Sequence, residues 1–336
     1  MKKGLVFILM SLLVCALLTG CGNSKGSTKE ESITEDGSSG EQSGGSESIK
    51  VGFSLKTVEN PFVISVKNGA AKAAEELGAE IIITDAQKDS AKQTSDIESL
   101  IQQKVNVLLV DALDSTSIVS TIEEAYDQGM TIVTEDVRIP DAGDMISTHV
   151  GIDNKESGKV LAQYLVDKLK EENKSKVIIL EGLPGAEATL NRAEGYHEIL
   201  DNDADIEVID FKNVGDSRAE GLTVMDDMLQ KYSEIDAVIC ANDELALGAI
   251  SAITDAGREG IVVCGFDGTS DGLEAVKSGS MLATIDHEPY SMGYLAVEAA
   301  IKAAKGESLT EKTFLETTLI TSDNVDDAIT RHANEK

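Results

Sequence analysis

Tryptophan is absent from this chain of 336 residues, and all aromatic side chains together make up only 4% of it. Ring stacking is therefore sparse and cannot dominate the recognition of any ligand. Positive charge is also scarce, with 29 Lys+Arg against 60 Asp+Glu and a formal net charge of −31. Such a field repels phosphate backbones and anionic head groups, which excludes nucleic acid and acidic lipid surfaces as ligands of the folded body. The acidity itself reads as a hydrated, soluble surface. Cysteine is limited to Cys15, Cys21, Cys240 and Cys264, with no Cys-x-x-Cys and no Cys/His cluster. No metal site and no cofactor is expected from that pattern, and Cys240 and Cys264, near the ends of apolar runs, read as buried free thiols.

What the sequence does contain begins with a targeting segment. Lys2 and Lys3 precede an apolar run over residues 4–18, too short and wrongly flanked for a membrane span, as in a secretory signal. The run ends in Leu18-Thr19-Gly20-Cys21, which resembles the lipobox of bacterial lipoproteins. That resemblance implies cleavage after residue 20, lipidation of Cys21 and anchoring on the outer face of the cell membrane. Two acyl chains would make such anchoring durable. Residues 22–47 are rich in Gly, Ser and Glu with almost nothing apolar, so they read as a flexible tether. A tether of this length points to a Gram-positive surface.

From residue 49 onward, β-branched runs alternate with helical patterns. Strands are expected over residues 49–55, 80–84, 107–111 and 131–135, and then over 177–181, 206–211, 237–241, 261–265 and 282–286. These runs are apolar almost throughout, which suits parallel strands covered on both faces. Between them, Ile118, Ile122 and Ala125 mark a helix closed by Gly129. Val160, Leu161, Tyr164, Leu165 and Leu169 mark another, and a third runs from Pro289 to Gly306. The strand count is too high for one sheet, so the fold class is α/β with two doubly wound parallel-sheet lobes. In such sheets ligands bind at the carboxyl ends of strands, where this sequence places Asp136, Asn242-Asp243 and Asp267.

Several segments, in order, resemble the type I periplasmic binding proteins of the ribose- and galactose-binding group. They are Glu59-Asn60-Pro61-Phe62, Gly151-Ile152-Asp153-Asn154, the stretch from Ala241 to Ala249, Gly265-Phe266-Asp267-Gly268-Thr269, and Ala283-Thr284-Ile285. The resemblance implies lobes of residues 48–152 plus 288–316 and 153–287 plus 317–336. Three chain crossings would join them, near residues 151–154, 285–288 and 314–321. It further implies a monomer that closes on a small polar, sugar-like ligand and delivers it to an ABC permease. The ligand-binding positions it implies are Asn60, Phe62, Asp136, Arg192, Asn242, Asp267 and His287.

Three positions depart from that pattern. Leu190 stands where the closest sugar binders carry a contacting arginine, Asp216 where an aromatic usually stacks, and Lys56 where a small polar residue is common. The expected ligand is thus a sugar, a polyol, a modified or amino sugar, or another polar metabolite. The carboxylates Asp136, Asp216 and Asp267 favour one bearing an amine.

Gly268-Thr269-Ser270-Asp271-Gly272 fits G-x-S-x-G, but Ser270 falls too far beyond the strand for a nucleophile elbow, so an enzyme is not expected. Asp201, Asp203 and Asp205 begin like a calcium loop that lacks the required Gly and Glu, since Ile206 and Lys212 stand there. A solute receptor that signals without transport would use the same clamp. A LacI-like regulator is opposed by the leader, the acidic charge and the lack of an N-terminal helix-turn-helix.

Overall fold

The computed structural model describes residues 48–334. The expected signal, Cys21 and the tether lie outside the described residues.

The first half of the body runs β1 (Lys50–Leu55), α1 (Pro61–Leu77), β2 (Glu80–Asp85), α2 (Ser90–Gln102), β3 (Val107–Val110), α3 (Val119–Asp127), β4 (Thr131–Glu135) and β5 (Thr148–Gly151). The second runs α4 (Asn154–Glu171), β6 (Lys176–Gly182), α5 (Glu187–Leu200), β7 (Glu207–Asn213), α6 (Arg218–Lys231), β8 (Ala237–Cys240), α7 (Asp243–Asp255), β9 (Val262–Cys264), α8 (Ser270–Ser278) and β10 (Thr284–Asp286). The chain then continues through α9 (Pro289–Ala304), β11 (Lys312–Phe314), β12 (Thr318–Ile320) and α10 (Val325–Ala333).

Two parallel sheets result. One has the order β11-β5-β4-β3-β1-β2 and the other β7-β6-β8-β9. In both, sequence order reverses beside the first strand of the unit, and the carboxyl ends of strands flanking such a switch point frame a crevice. Continuous burial along β3 and along Val51 to Leu55 of β1 reflects helices on both faces. The chain passes between the sheets three times, after β5, after β10 and between β11 and β12. These short segments form the three-part hinge.

The structure corrects the sequence reading at the hinge. The last expected strand meets the second lobe only through two isolated parallel bridges, Cys264 to Ala283 and Asp267 to Asp286, and pairs antiparallel with β12. The reason is geometric, because β10 and β12 are crossing segments that run in opposite directions between the lobes. Strands β5, β11 and β12 were not expected. They are three or four residues long and too short to display a periodicity.

Helices pack in close pairs through glycine. A Cβ on Gly158 of α4 would come within 2.6 Å of the Arg192 carbonyl oxygen on α5, and Gly195 meets the Lys155 carbonyl in return. The same exchange occurs between α1 and α9 (Gly69, Gly293) and between α6 and α7 (Gly221, Gly248). The α4–α5 contact matters for function because it fixes the backbone of Arg192. Cys240 and Cys264 are free and buried. Ile239 lies beside Cys264 in the sheet, so the next residue, Cys240, faces the opposite side.

Candidate functional site: a charge-compensated cleft between the sheets

The strand ends of the first sheet supply one wall of the cleft. Lys56 follows β1 directly, with its ammonium 3.0 Å from Asp111 Oδ1 and 2.7 Å from Asp136 Oδ2. Asn60 caps α1, its Oδ1 accepting from the Phe62 amide at 2.8 Å, so the side-chain NH2 stays available to a ligand. Phe62 lies flat against His287 at a centroid distance of 4.6 Å. Asp136 turns out of β4 with φ of 54°, a left-handed conformation that Asp adopts more readily than most residues. Its Oδ1 is buried without a hydrogen-bond partner in the protein.

The second sheet supplies the other wall. Arg192 is buried, its guanidinium 3.6 Å over the Phe266 ring, with Nη2 donating to Asn154 at 2.8 Å and Nη1 reaching Ala241 O and Asp267 Oδ1. Asn242 caps α7 through the Leu245 amide at 2.8 Å and donates to the Asp216 carbonyl at 3.3 Å. Asp267 sits at φ of 117°, a strained backbone for any side chain but glycine. Cap duty for α8 falls to Thr269, which leaves the Asp267 carboxylate to the cleft.

Asp243 holds that strained loop in place. It is fully buried and accepts from the Thr269 amide at 2.7 Å, the Thr269 hydroxyl at 2.9 Å and the Thr284 hydroxyl at 2.7 Å. Burial and the neighbouring Asp267 charge push its carboxyl up to about 8. The sequence signals for it were its place at a strand end and in the Ala241–Ala249 segment.

Six of the seven expected positions, Asn60, Phe62, Asp136, Arg192, Asn242 and Asp267, border one narrow space of about 40 Å³. His287 does not border it. Fully buried behind Phe62 and Phe266, it lies with Nε2 3.3 Å from Asp267 Oδ1 and supports the wall from behind. Leu190 is half exposed and does not border the cleft, whereas Lys56 and Asp216 do. Wider hollows exist, such as one along Pro61, Ile64 and Tyr290, but it does not gather a comparable set of buried charges.

Residues that sequence reasoning did not assign bring the walls together. Lys88 Nζ lies 2.6 Å from Asp216 Oδ1, and Arg138 pairs with Glu187. The Ser115 amide donates to Gly185 O at 3.0 Å, and the Ser115 hydroxyl accepts from the Glu187 amide at 3.1 Å. Ala186 and Ala188 pack with Val137 and Ile139 of the facing lobe.

The electrostatics correct one expectation. Asp136 holds Lys56, Asp216 holds Lys88 and Asp267 holds Arg192, so each carboxylate thought to favour an amine already has a protein cation. Burial opposes ionisation of Asp136, but Lys56, His287 and Arg192 outweigh it and hold its carboxyl below the usual range. Glu135 is different, being fully buried with neither oxygen hydrogen-bonded. Burial first, then Asp111 and Asp136, push its carboxyl well up, so it carries the proton among the neighbouring acids. Burial works against the charge of Lys56, yet Asp111 and Asp136 prevail and its amine stays an ammonium.

Two sheets of this order around a polar cleft invite comparison with known proteins. Residues 51–308 match the family model described as a periplasmic binding protein domain. The chain belongs to this family. It is 41% identical over 267 residues to the ribose import binding protein RbsB of Bacillus subtilis (strain 168), covering 80% of this chain and 85% of that one. It is 28% identical to the xylitol-binding protein of Mycolicibacterium smegmatis, covering 88% of this chain and 84% of that one. Among solved structures it is similar to an ABC transporter solute binding protein from Bacillus halodurans C-125 with bound myo-inositol. There the TM-score is 0.80 and the identity 30%, with 86% of this chain and 99% of the other covered. These relatives are binding proteins, and this periplasmic binding protein is an extracytoplasmic solute binder rather than an enzyme. The G-x-S-x-G match accords with that assignment, because Ser270 is the first residue of α8 and no strand-end elbow. Asp203 pairs with Lys170 and accepts from the Asp205 amide, as in a solvated turn.

Proposed function

We propose that this chain captures a neutral sugar or polyol between its lobes and delivers it to an ABC importer. The lobes of residues 48–152 plus 288–316 and 153–287 plus 317–336 would close about the three crossings, a motion for which periplasmic binding proteins are themselves the standard example. The observation that carries this reading is the composition of the cleft. It is rich in buried acceptors, each next to a fixed cation, with the Asn60 NH2 and the face of Phe62 beside them. A ligand bearing many hydroxyls exchanges its water for such acceptors one for one, and loses heavily wherever a buried partner is left unpaired. The relatives that bind ribose, xylitol and myo-inositol support the same class.

Titration calorimetry of the protein with ribose, xylitol, allose and myo-inositol tests this. At least one should bind, and Asn60→Ala and Asp267→Ala should each weaken it by tenfold or more, since both strand ligand hydroxyls in a closed cleft. Near-wild-type affinity in both variants would place the ligand elsewhere. We further propose that Cys21 carries the lipid that keeps the protein at the cell surface, with residues 22–47 as its tether.

A further inference from the structure

Lys56 is the least expected member of the cleft, and its surroundings give it a definite chemical role. Its side chain is 11% exposed and stands 5.9 Å from the Phe62 ring centroid, on the wall that a ligand would face. An ammonium has three N–H bonds. Two are directed at Asp111 Oδ1 and Asp136 Oδ2, which leaves one donor. Immediately beside it, Asp136 Oδ1 is an acceptor with no protein partner. Donor and acceptor therefore sit side by side, held by the same carboxylate.

We propose that Lys56 is a specificity-determining residue, whose ammonium, fixed between Asp111 and Asp136, makes this subsite accept a neutral hydroxyl and reject an amine. The proposal rests on the sugar or polyol reading above. A hydroxyl can donate to Asp136 Oδ1 while accepting from Lys56, satisfying both groups at once. A protonated amine can satisfy the carboxylate but has no lone pair for Lys56. It would also bring a second positive charge within hydrogen-bond range of a carboxylate already paired with the Lys56 ammonium. Like-charge juxtaposition of this kind is how binding sites discriminate against a close analogue. The remaining charged or titratable groups around the subsite do not offset it. Asp111 shares Lys56 with Asp136 and burial pushes its carboxyl up to about 7, burial and the same two acids push Glu135 well up, and His287 and Arg192 add positive potential to Asp136.

The test compares the tightest-binding member of ribose, allose, xylitol and myo-inositol with its mono-amino analogues, one hydroxyl replaced at a time, by calorimetry near neutral pH. In the wild type, at least one analogue should bind tenfold or more weakly than its parent. In Lys56→Met, which keeps the stem and removes the charge, the parent should weaken and that gap should close to within threefold or invert. A gap unchanged in Lys56→Met overturns the proposal. Should that variant fail to fold, the wild-type series decides alone, because amino analogues all within threefold of their parent also overturn it. If no neutral sugar or polyol binds the wild type, the sugar reading itself falls, an outcome separate from a failure confined to Lys56.

Discussion

Asn60 and Asn242 each spend the side-chain oxygen on a helix cap and keep the amide nitrogen for other partners. A capping role and a binding role are thus compatible at these positions. What the sequence did not reveal at this scale is the pairing of charges. Lys56, Asp111 and Asp136 are distant in the chain and meet only because β1, β3 and β4 are neighbours in the sheet. Lys88 reaches Asp216 from a loop in which two successive residues, Gln87 and Lys88, take positive φ. Without those pairings the acids looked like sites for an amine. Asp243 carries a prediction about pH. Its folded carboxyl is raised to about 8, while an unfolded Asp titrates near ~3.9. The stability it contributes is therefore fully present below pH ~4 and is lost as pH rises toward 8, because the unfolded chain releases the proton first. Melting temperatures across pH 4 to 8 should fall in the wild type and fall less steeply in Asp243→Asn, which mimics the neutral acid. An equal slope in both would mean that Asp243 is ionised in the folded protein.

At the scale of elements, the long buried strands and the paired helices were legible because burial on both faces leaves an unbroken apolar run. The hinge strands were not, since β5 and β11 come together from distant parts of the chain and β12 takes its conformation from pairing with β10 across the hinge. The reciprocal glycines are visible as letters but not as a device, because nothing local distinguishes a glycine that admits a partner helix from one that ends a turn. Gly158 and Gly195 bring α5 against α4 and thereby place Arg192, and Asp243 at the start of α7 holds the loop after β9 and thereby places Asp267. The candidate site was found through resemblance of short segments, and the fold explains why those segments are strand ends.

At the scale of the whole molecule, an acidic body and a two-lobed cleft in a family of extracytoplasmic solute binders describe a protein that works outside the cytoplasm and meets its ligand by diffusion. If Cys21 bears the anchor, Cys21→Ser should move the protein from the membrane fraction to the medium, and its retention with membranes would refute lipidation there. Polar contacts join the two walls, Lys88 with Asp216, Arg138 with Glu187 and Ser115 with Gly185, beside a cleft in which Asp136, Asp216 and Asp267 each face a protein cation. The most direct measurement is the melting temperature of the protein with saturating ribose, allose, xylitol or myo-inositol, set against matched amines and amino acids. A ligand that binds only the folded state at 100 times its Kd adds about 2.7 kcal/mol of stability, enough to raise the melting temperature by several degrees. A rise with a neutral sugar or polyol and none with the amines is the predicted result. A rise with amines or amino acids alone, with every neutral sugar and polyol silent, would contradict it.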